Sequence, residues 1–196
     1  MYKFEFRDPA FLPHLGCNID ISLNQGDILV ILGANGLGKT TLMRKISQLP
    51  TAKETSYIEQ MPMDLFFERQ IHVVREILIN ARPHLLTSDH DLLWHQSGLA
   101  EKANRFLSEL SGGETQLLKL YLGLIKTADL YLLDEPTQYL DQDKKKFLAE
   151  VIETRRRAGA SFIIVEHDQQ WLNSGWRVEE LINSHGQLVK GQAWTI

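Results

Sequence analysis

Cysteine is nearly absent. Cys17 stands alone among 196 residues, so no internal disulfide can form, which fits a reducing compartment. It lies in an alternating stretch, where a small buried or edge side chain is the expected role. Long apolar runs are also missing. None approaches the ~20 residues that span a bilayer, so work at a membrane would need another protein to hold the chain there. Met1-Tyr2-Lys3-Phe4-Glu5-Phe6 alternates charge with aromatics and does not read as a signal peptide. Positive charge is not in excess. The formal net charge is −4, which disfavours a general nucleic-acid binder. Internal repeats, low-complexity tracts and long heptads are lacking, which argues against repeat architectures and coiled-coil rods.

What is present is ordinary for a globular chain: 43% hydrophobic and 23% charged residues, enough for a real core. The length suits one domain, with or without a small inserted lobe. One stretch organises the rest. Gly33-Ala34-Asn35-Gly36-Leu37-Gly38-Lys39-Thr40, with Thr41 following, fits the phosphate-binding pattern G-x-x-x-x-G-K-[ST]. An apolar run at 28–32 leads in and a helix-competent stretch at 41–48 leads out, which is the strand–loop–helix context the motif needs. Glycines let the backbone curl and turn successive N–H groups inward as an anion nest. The helix start adds its positive end at the same point. Lys39 brings a full charge to the outer phosphates, and the Thr40 hydroxyl suits Mg²⁺.

Around this centre, residues 2–7 and 18–23 alternate as two strands, with a loop at 9–16 broken by Pro9 and Pro13. A short strand at 56–59 ends at Gln60. Residues 70–80 have helical spacing, with Ile71, Val74, Ile77 and Leu78 on one stripe. Ser88 or Asp89 is placed to cap a helix through Trp94, and 99–107 reads as helical again. A long helix at 115–125 precedes the apolar strand 130–133. A helix at 141–158 carries Phe147, Leu148, Val151 and Ile152 inward. The basic runs Lys144-Lys145-Lys146 and Arg155-Arg156-Arg157 on it read as a solvated face. A buried strand at 161–165 follows, then a short helix capped by Asp168 with Trp171 and Leu172. Residues 177–182 and 187–190 read as a closing hairpin. Trp94, Trp171, Trp176 and Trp194 are expected to pack. Strands alternating with helices predict an α/β fold with a mostly parallel, three-layer sheet and right-handed crossovers.

Chemistry collects at the carboxyl ends of parallel strands. Four expected strands end in the phosphate loop, Gln60, Asp134-Glu135 and Glu166-His167. Asp134 follows four apolar residues, as a Mg²⁺-organising carboxylate does. Glu135 is placed to polarise a water or take its proton.

Leu110-Ser111-Gly112-Gly113-Glu114 resembles the LSGGQ signature of ATP-binding-cassette (ABC) ATPases. With the phosphate loop, Gln60, Leu133-Asp134-Glu135-Pro136-Thr137, Leu140-Asp141 and His167, the resemblance covers nearly the whole chain in the family's order. It implies a P-loop NTPase fold in one domain. Residues 1–61 and 111–196 would form the core with its N-terminal antiparallel β part, and about 62–110 an inserted helical lobe. It implies ATP hydrolysis with Mg²⁺ and two copies packed head to tail. Ser111, Gly112 and Gly113 of one copy would then close over the ATP held by Lys39 of the other. Gln60 resembles the Q-loop glutamine, which touches Mg²⁺ and the attacking water. His167 resembles the switch histidine. Asp141 resembles the D-loop aspartate, although Gln138-Tyr139-Leu140-Asp141 replaces the family's common Ser-Ala-Leu-Asp. An aromatic ring stacking on adenine is expected upstream of the loop, with Phe11 first and Phe6 second.

The resemblance further implies an integral membrane permease as partner and a peripheral place on the cytoplasmic face of the membrane. The apolar stretch 61–67, with Leu65, Phe66 and Phe67, is the candidate docking surface for that partner. A single-cassette relative of the ABC-F translation factors is the alternative. Those carry two cassettes and a basic linker, while this chain has one cassette and no such linker. A DNA-repair or regulatory cassette ATPase would need long coiled-coil heptads.

Overall fold

The computed structural model describes residues 3–12, 17–49, 55–58, 68–81, 83–173 and 175–181. Two antiparallel strands come first, β1 (Lys3–Leu12) and β2 (Cys17–Asn24). Their register sets Phe4 opposite Leu23 and Phe6 opposite Ile21. These four and Ile19 are buried, while Glu5, Arg7 and Asp20 face out, the period-2 pattern of a one-sided ribbon. β1 runs further than expected. Residues 9–12 continue the strand where a loop was predicted. The register shifts between Asp8 and Leu12, and such an irregular edge tolerates a proline that cannot donate.

β3 (Ile28–Gly33), β4 (Thr55–Ile58), β5 (Leu130–Asp134), β6 (Ser161–Val165) and β7 (Arg177–Leu181) form a five-stranded sheet in the order β4-β5-β6-β3-β7. All its pairings are parallel. Alternate side chains feed two cores. Leu29 and Ile31, Leu130 and Leu132, and Ile163 and Val165 pack with the β1–β2 ribbon and with α1 (Lys39–Ser47), through Leu42, Met43 and Ile46. Ile28 and Val30, Tyr131 and Leu133, and Phe162 and Ile164 pack on the opposite face. Each such fully buried side chain contributes about 1.5–3 kcal/mol relative to exposure. This burial on both faces explains the near-continuous apolar runs.

The opposite core takes in α2 (Ile71–Ala81), α3 (His90–Gln96), α4 (Gly112–Leu124) and α5 (Gln142–Arg157). β3 reaches β4 through α1 in one direction across the sheet; β5 reaches β6 through α5 in the other. Helices on opposite faces make the two crossovers of one hand. The result is a three-layer α/β P-loop fold with a parallel central sheet and an antiparallel ribbon.

Several local expectations are corrected. Residues 99–107 form no α-helix. They make one-turn 3₁₀ helices at Ala100–Lys102 and Leu107–Glu109, because their backbone pairs with the start of α2. Ile71 N–H donates to Arg105, His72 N–H to Ala103, and Leu107 N–H to Arg69. Ile77 is exposed while Ile71 and Val74 are buried. Asp89 sits at the N-cap of α3 without a capping bond, because its two oxygens take the Arg155 guanidinium at 2.7 and 2.9 Å. Arg155 is therefore buried, not on a solvated face. Asp168 starts no helix; its carboxylate accepts from Gln170 N–H and the Lys145 ammonium. Trp94, Trp171 and Trp176 pack as expected, the last two edge to face at 5.3 Å. β7 pairs with β3. The second arm of the expected hairpin, 187–190, and Trp194 lie outside the described residues.

Candidate functional site

β3 delivers the chain into the phosphate loop. Gly36 and Gly38 adopt φ of 83° and 82°, a left-handed conformation that side chains disfavour. Gly38 is also the N-cap of α1, so the loop and the helix start are one turn of chain. Lys39 begins α1 and is buried; its Nζ donates to the carbonyls of Gly33 at 2.7 Å and Ala34 at 2.8 Å. Burial lowers its pKa, against the opposing pull of the Glu135 and Asp134 carboxylates. Ala34, Asn35 and Gly36 are exposed, Leu37 and Gly38 half-buried, and Thr41 exposed. The loop thus presents its backbone outward around a cation held from below.

The register of β5 against β6 pairs Asp134 with Val165, which brings two strand ends level beside the loop. Thr40 Oγ1 donates to Asp134 Oδ2 at 2.8 Å. A hydroxyl and a carboxylate so close form a hard-oxygen donor pair of the kind Mg²⁺ takes together with phosphates and waters. Among the described residues no cluster of three or more His, Cys, Asp or Glu could hold a metal alone, so these two would need a ligand's oxygens to complete a shell. One residue on, Glu135 Oε1 lies 3.0 Å from His167 Nε2. Glu135 has φ of 49°, an unfavourable conformation for a side-chain-bearing residue, and its N–H donates to Val165 O at 2.9 Å.

α4 carries the signature. Ser111 is its exposed N-cap in a reciprocal capping box with Glu114. Ser111 N–H and Oγ donate to Glu114 Oε2 at 2.8 and 2.9 Å, and Glu114 N–H returns to Ser111 Oγ. The Lys102 ammonium stands 2.7 Å from the same carboxylate, and the hydrogen bonds from Lys102 and the Ser111 N–H hold the carboxyl down at about 2. Gly112 and Gly113 pack on Tyr139. Asp141 caps α5, accepting from Lys144 N–H and Nζ.

The structure therefore brings together Lys39, Thr40, Asp134, Glu135 and His167. It leaves Ser111 in its own first turn, bonded among the described residues to Glu114 and Thr115. Gln60 and 61–67 lie outside the described residues. Phe11 falls in β1, its side chain outside the description; Phe6 is buried in the ribbon core. The sequence does not single out Gln116, and it marks Glu166 only as an acid at a strand end, with no role. Gln116 on α4 donates from Nε2 to the carbonyls of Glu135 at 3.3 Å and Pro136 at 3.2 Å. Glu166 is buried and accepts from the Thr137 hydroxyl and the His167 N–H. Its only sequence cue is an acid closing an apolar strand just before a histidine.

Residues 17–138 match the protein family described as ABC transporter. The zinc import ATP-binding protein ZnuC of Chromohalobacter salexigens is 28% identical over 77% of this chain and 66% of its own. The ribosome protection protein VmlR of Bacillus subtilis is 30% identical over 91% of this chain but only 30% of its own. A solved ATP-binding subunit of an ABC transporter superposes with a TM-score of 0.71 at 18% identity, over 89% of this chain and 82% of that one. The chain spans between 64% and 72% of the length of the first four curated relatives it matches.

Proposed function

Because the chain belongs to the ABC transporter family of ATP-binding ATPases, we propose that it is the nucleotide-binding engine of a transporter, clamping two copies around ATP. In this reading residues 1–61 and 111–196 are the ATPase core and about 62–110 its helical lobe. The phosphate-loop N–H groups of 33–38 and the Lys39 charge hold the triphosphate, as at other loop–helix anion sites. Lys39 exchanges its two carbonyl partners for phosphate oxygens. Thr40 and Asp134 would hold Mg²⁺, which would neutralise charge on the outer phosphates. Gln60 would be a further ligand of that ion, and Phe11 would stack on adenine.

Glu135 orients the attacking water and draws on its proton; the 3.0 Å contact with His167 is the observation that carries the reading. In this reading a proton-accepting carboxylate and an imidazole for the γ-phosphate stand side by side, next to the phosphate loop. Typical proton-transfer assistance of this kind is worth 10²–10⁴-fold. The exposed N-cap Ser111, with Gly112 and Gly113, is a second anion-facing helix start. It serves the ATP of a second copy, with Asp141 at the seam, in a closed two-fold dimer.

Among the described residues no helix is long and apolar enough to cross a membrane. In this reading a membrane permease is the partner, met through 61–67 on the cytoplasmic face. The named importer relatives favour this assignment. The match to VmlR across 91% of the chain favours a second reading, a cassette acting on the ribosome; co-sedimentation with ribosomes against co-purification with a polytopic membrane protein separates them. The central test is Glu135→Gln. ATP turnover should fall at least ~100-fold while an ATP-dependent dimer accumulates on size-exclusion chromatography. Turnover at the parent rate would overturn the mechanism.

A further inference from the structure

His167 and Glu135 arrive from different strands, and nothing in either strand alone fixes their separation. Between their backbones lies Glu166, 3% exposed. Its Oε2 accepts the Thr137 hydroxyl at 2.7 Å and the Thr137 N–H at 3.4 Å. Its Oε1 accepts the N–H groups of His167 at 2.8 Å and Asp168 at 3.3 Å. A buried carboxylate is costly unless its lone pairs are filled; here four donors fill them, two from each loop. An apolar residue would fill the space, but it would tie neither loop to the other.

The loop after β5 needs such a tie. Glu135 holds an unfavourable φ of 49°, which persists only where the surroundings over-determine it. Val165 O fixes its N–H and Gln116 grips its carbonyl. Glu166, through Thr137, supplies the third point. Resting on the ATPase reading above, we propose that Glu166 is a positioning residue for hydrolysis, holding the Glu135 loop in register with His167. Buried where the two loops meet, it is placed to act on the chemical step through Glu135 and not on ATP affinity.

The test compares Glu166→Gln, Thr137→Val and Thr137→Ser in the full chain, by ATP-dependent turnover and thermal melting. The glutamine keeps the shape but replaces one acceptor oxygen by a donor. The valine removes the hydroxyl; the serine keeps it. Glu166→Gln and Thr137→Val should each lower kcat about tenfold, with KM for ATP within about twofold of the parent, since small misplacement of a reacting group is enough for losses of this order. Thr137→Ser should restore most of kcat. If Glu166→Gln does not fold, the Thr137 pair decides. Turnover within about twofold of the parent in Glu166→Gln or Thr137→Val, or a Thr137→Ser as slow as Thr137→Val, overturns the proposal. So does a loss confined to KM. A parent and a Glu135→Gln variant that behave as expected leave such a failure specific to Glu166. A parent that does not hydrolyse ATP overturns the ATPase reading and this inference with it.

Discussion

A methyl group on Gly113 would stand 2.5 Å from the carbonyl oxygen of Tyr139, a backbone atom with no rotamer to yield. Its neighbour Gly112 is different: the same atom there would meet the Tyr139 ring at 3.6 Å, an ordinary contact. The two signature glycines therefore serve different ends, and only the second is needed for the chain to pack on itself. Gly113→Ala should destabilise by about 1–3 kcal/mol, the cost of forcing an extra methyl into a filled space. In a chain of this size that lowers the melting temperature by roughly 2–12 °C. Gly112→Ala, at the start of a helix, should melt at or above the parent temperature. Equal melting of the two variants would contradict the distinction.

The carboxyl of Glu114 titrates at about 2 where an ordinary glutamate sits at 4.5, held down by hydrogen bonds from Lys102 and the Ser111 N–H. A folded-state pKa below the unfolded one contributes stability that is full above about 4.5 and is lost as pH falls toward 2. Lys102→Met removes the largest cause. The Glu114 midpoint, read from its carboxyl carbon by NMR, should rise. The stability gap between parent and variant, from urea unfolding, should narrow as pH drops from about 5 to about 3. A gap that stays constant over that range would show that Lys102 does not act through this charge.

Legibility in the sequence followed the range of the interaction. The buried strands at 28–32, 130–133 and 161–165 announced themselves because both faces are covered, leaving unbroken apolar runs. The phosphate loop and the acids at strand ends were legible because backbone geometry demands particular residues at short spacing. Choices between distant partners were not. Asp89 reads as a cap by position, yet Arg155, 66 residues away, claims its carboxylate. The 99–107 stretch has helical spacing, but pairing with the start of α2 offered its backbone other partners. Ile77 fits the apolar stripe of α2 and is exposed. Gln116 and Glu166 reveal their roles only when two strand ends and a helix are seen together.

The Arg155–Asp89 pair carries a prediction of its own. Arg155 Nη1 and Nη2 engage both Asp89 oxygens, Nη2 reaches Thr87 Oγ1 at 3.1 Å, and Nε donates to the Leu124 carbonyl at 3.2 Å. The guanidinium thus joins α5, the end of α4 and the start of α3 in one bidentate clasp, a geometry that lysine cannot copy. Burial works against the charged form of Asp89, yet the Arg155 and Thr87 hydrogen bonds hold its pKa below the ordinary value. Arg155→Met would fill the space but strand that carboxylate. Removing one partner of a buried pair typically costs 3–5 kcal/mol; Asp89 keeps some access to water, so a loss of about 2–3 kcal/mol is expected. Arg155→Lys should recover less than half of it, since one ammonium cannot serve both oxygens, the hydroxyl and the carbonyl together. Pairing Arg155→Met with Asp89→Asn should cost less than the sum of the single changes, because the stranded charge is gone. Strict additivity in urea unfolding would mean that packing, and not the ion pair, accounts for burying this arginine.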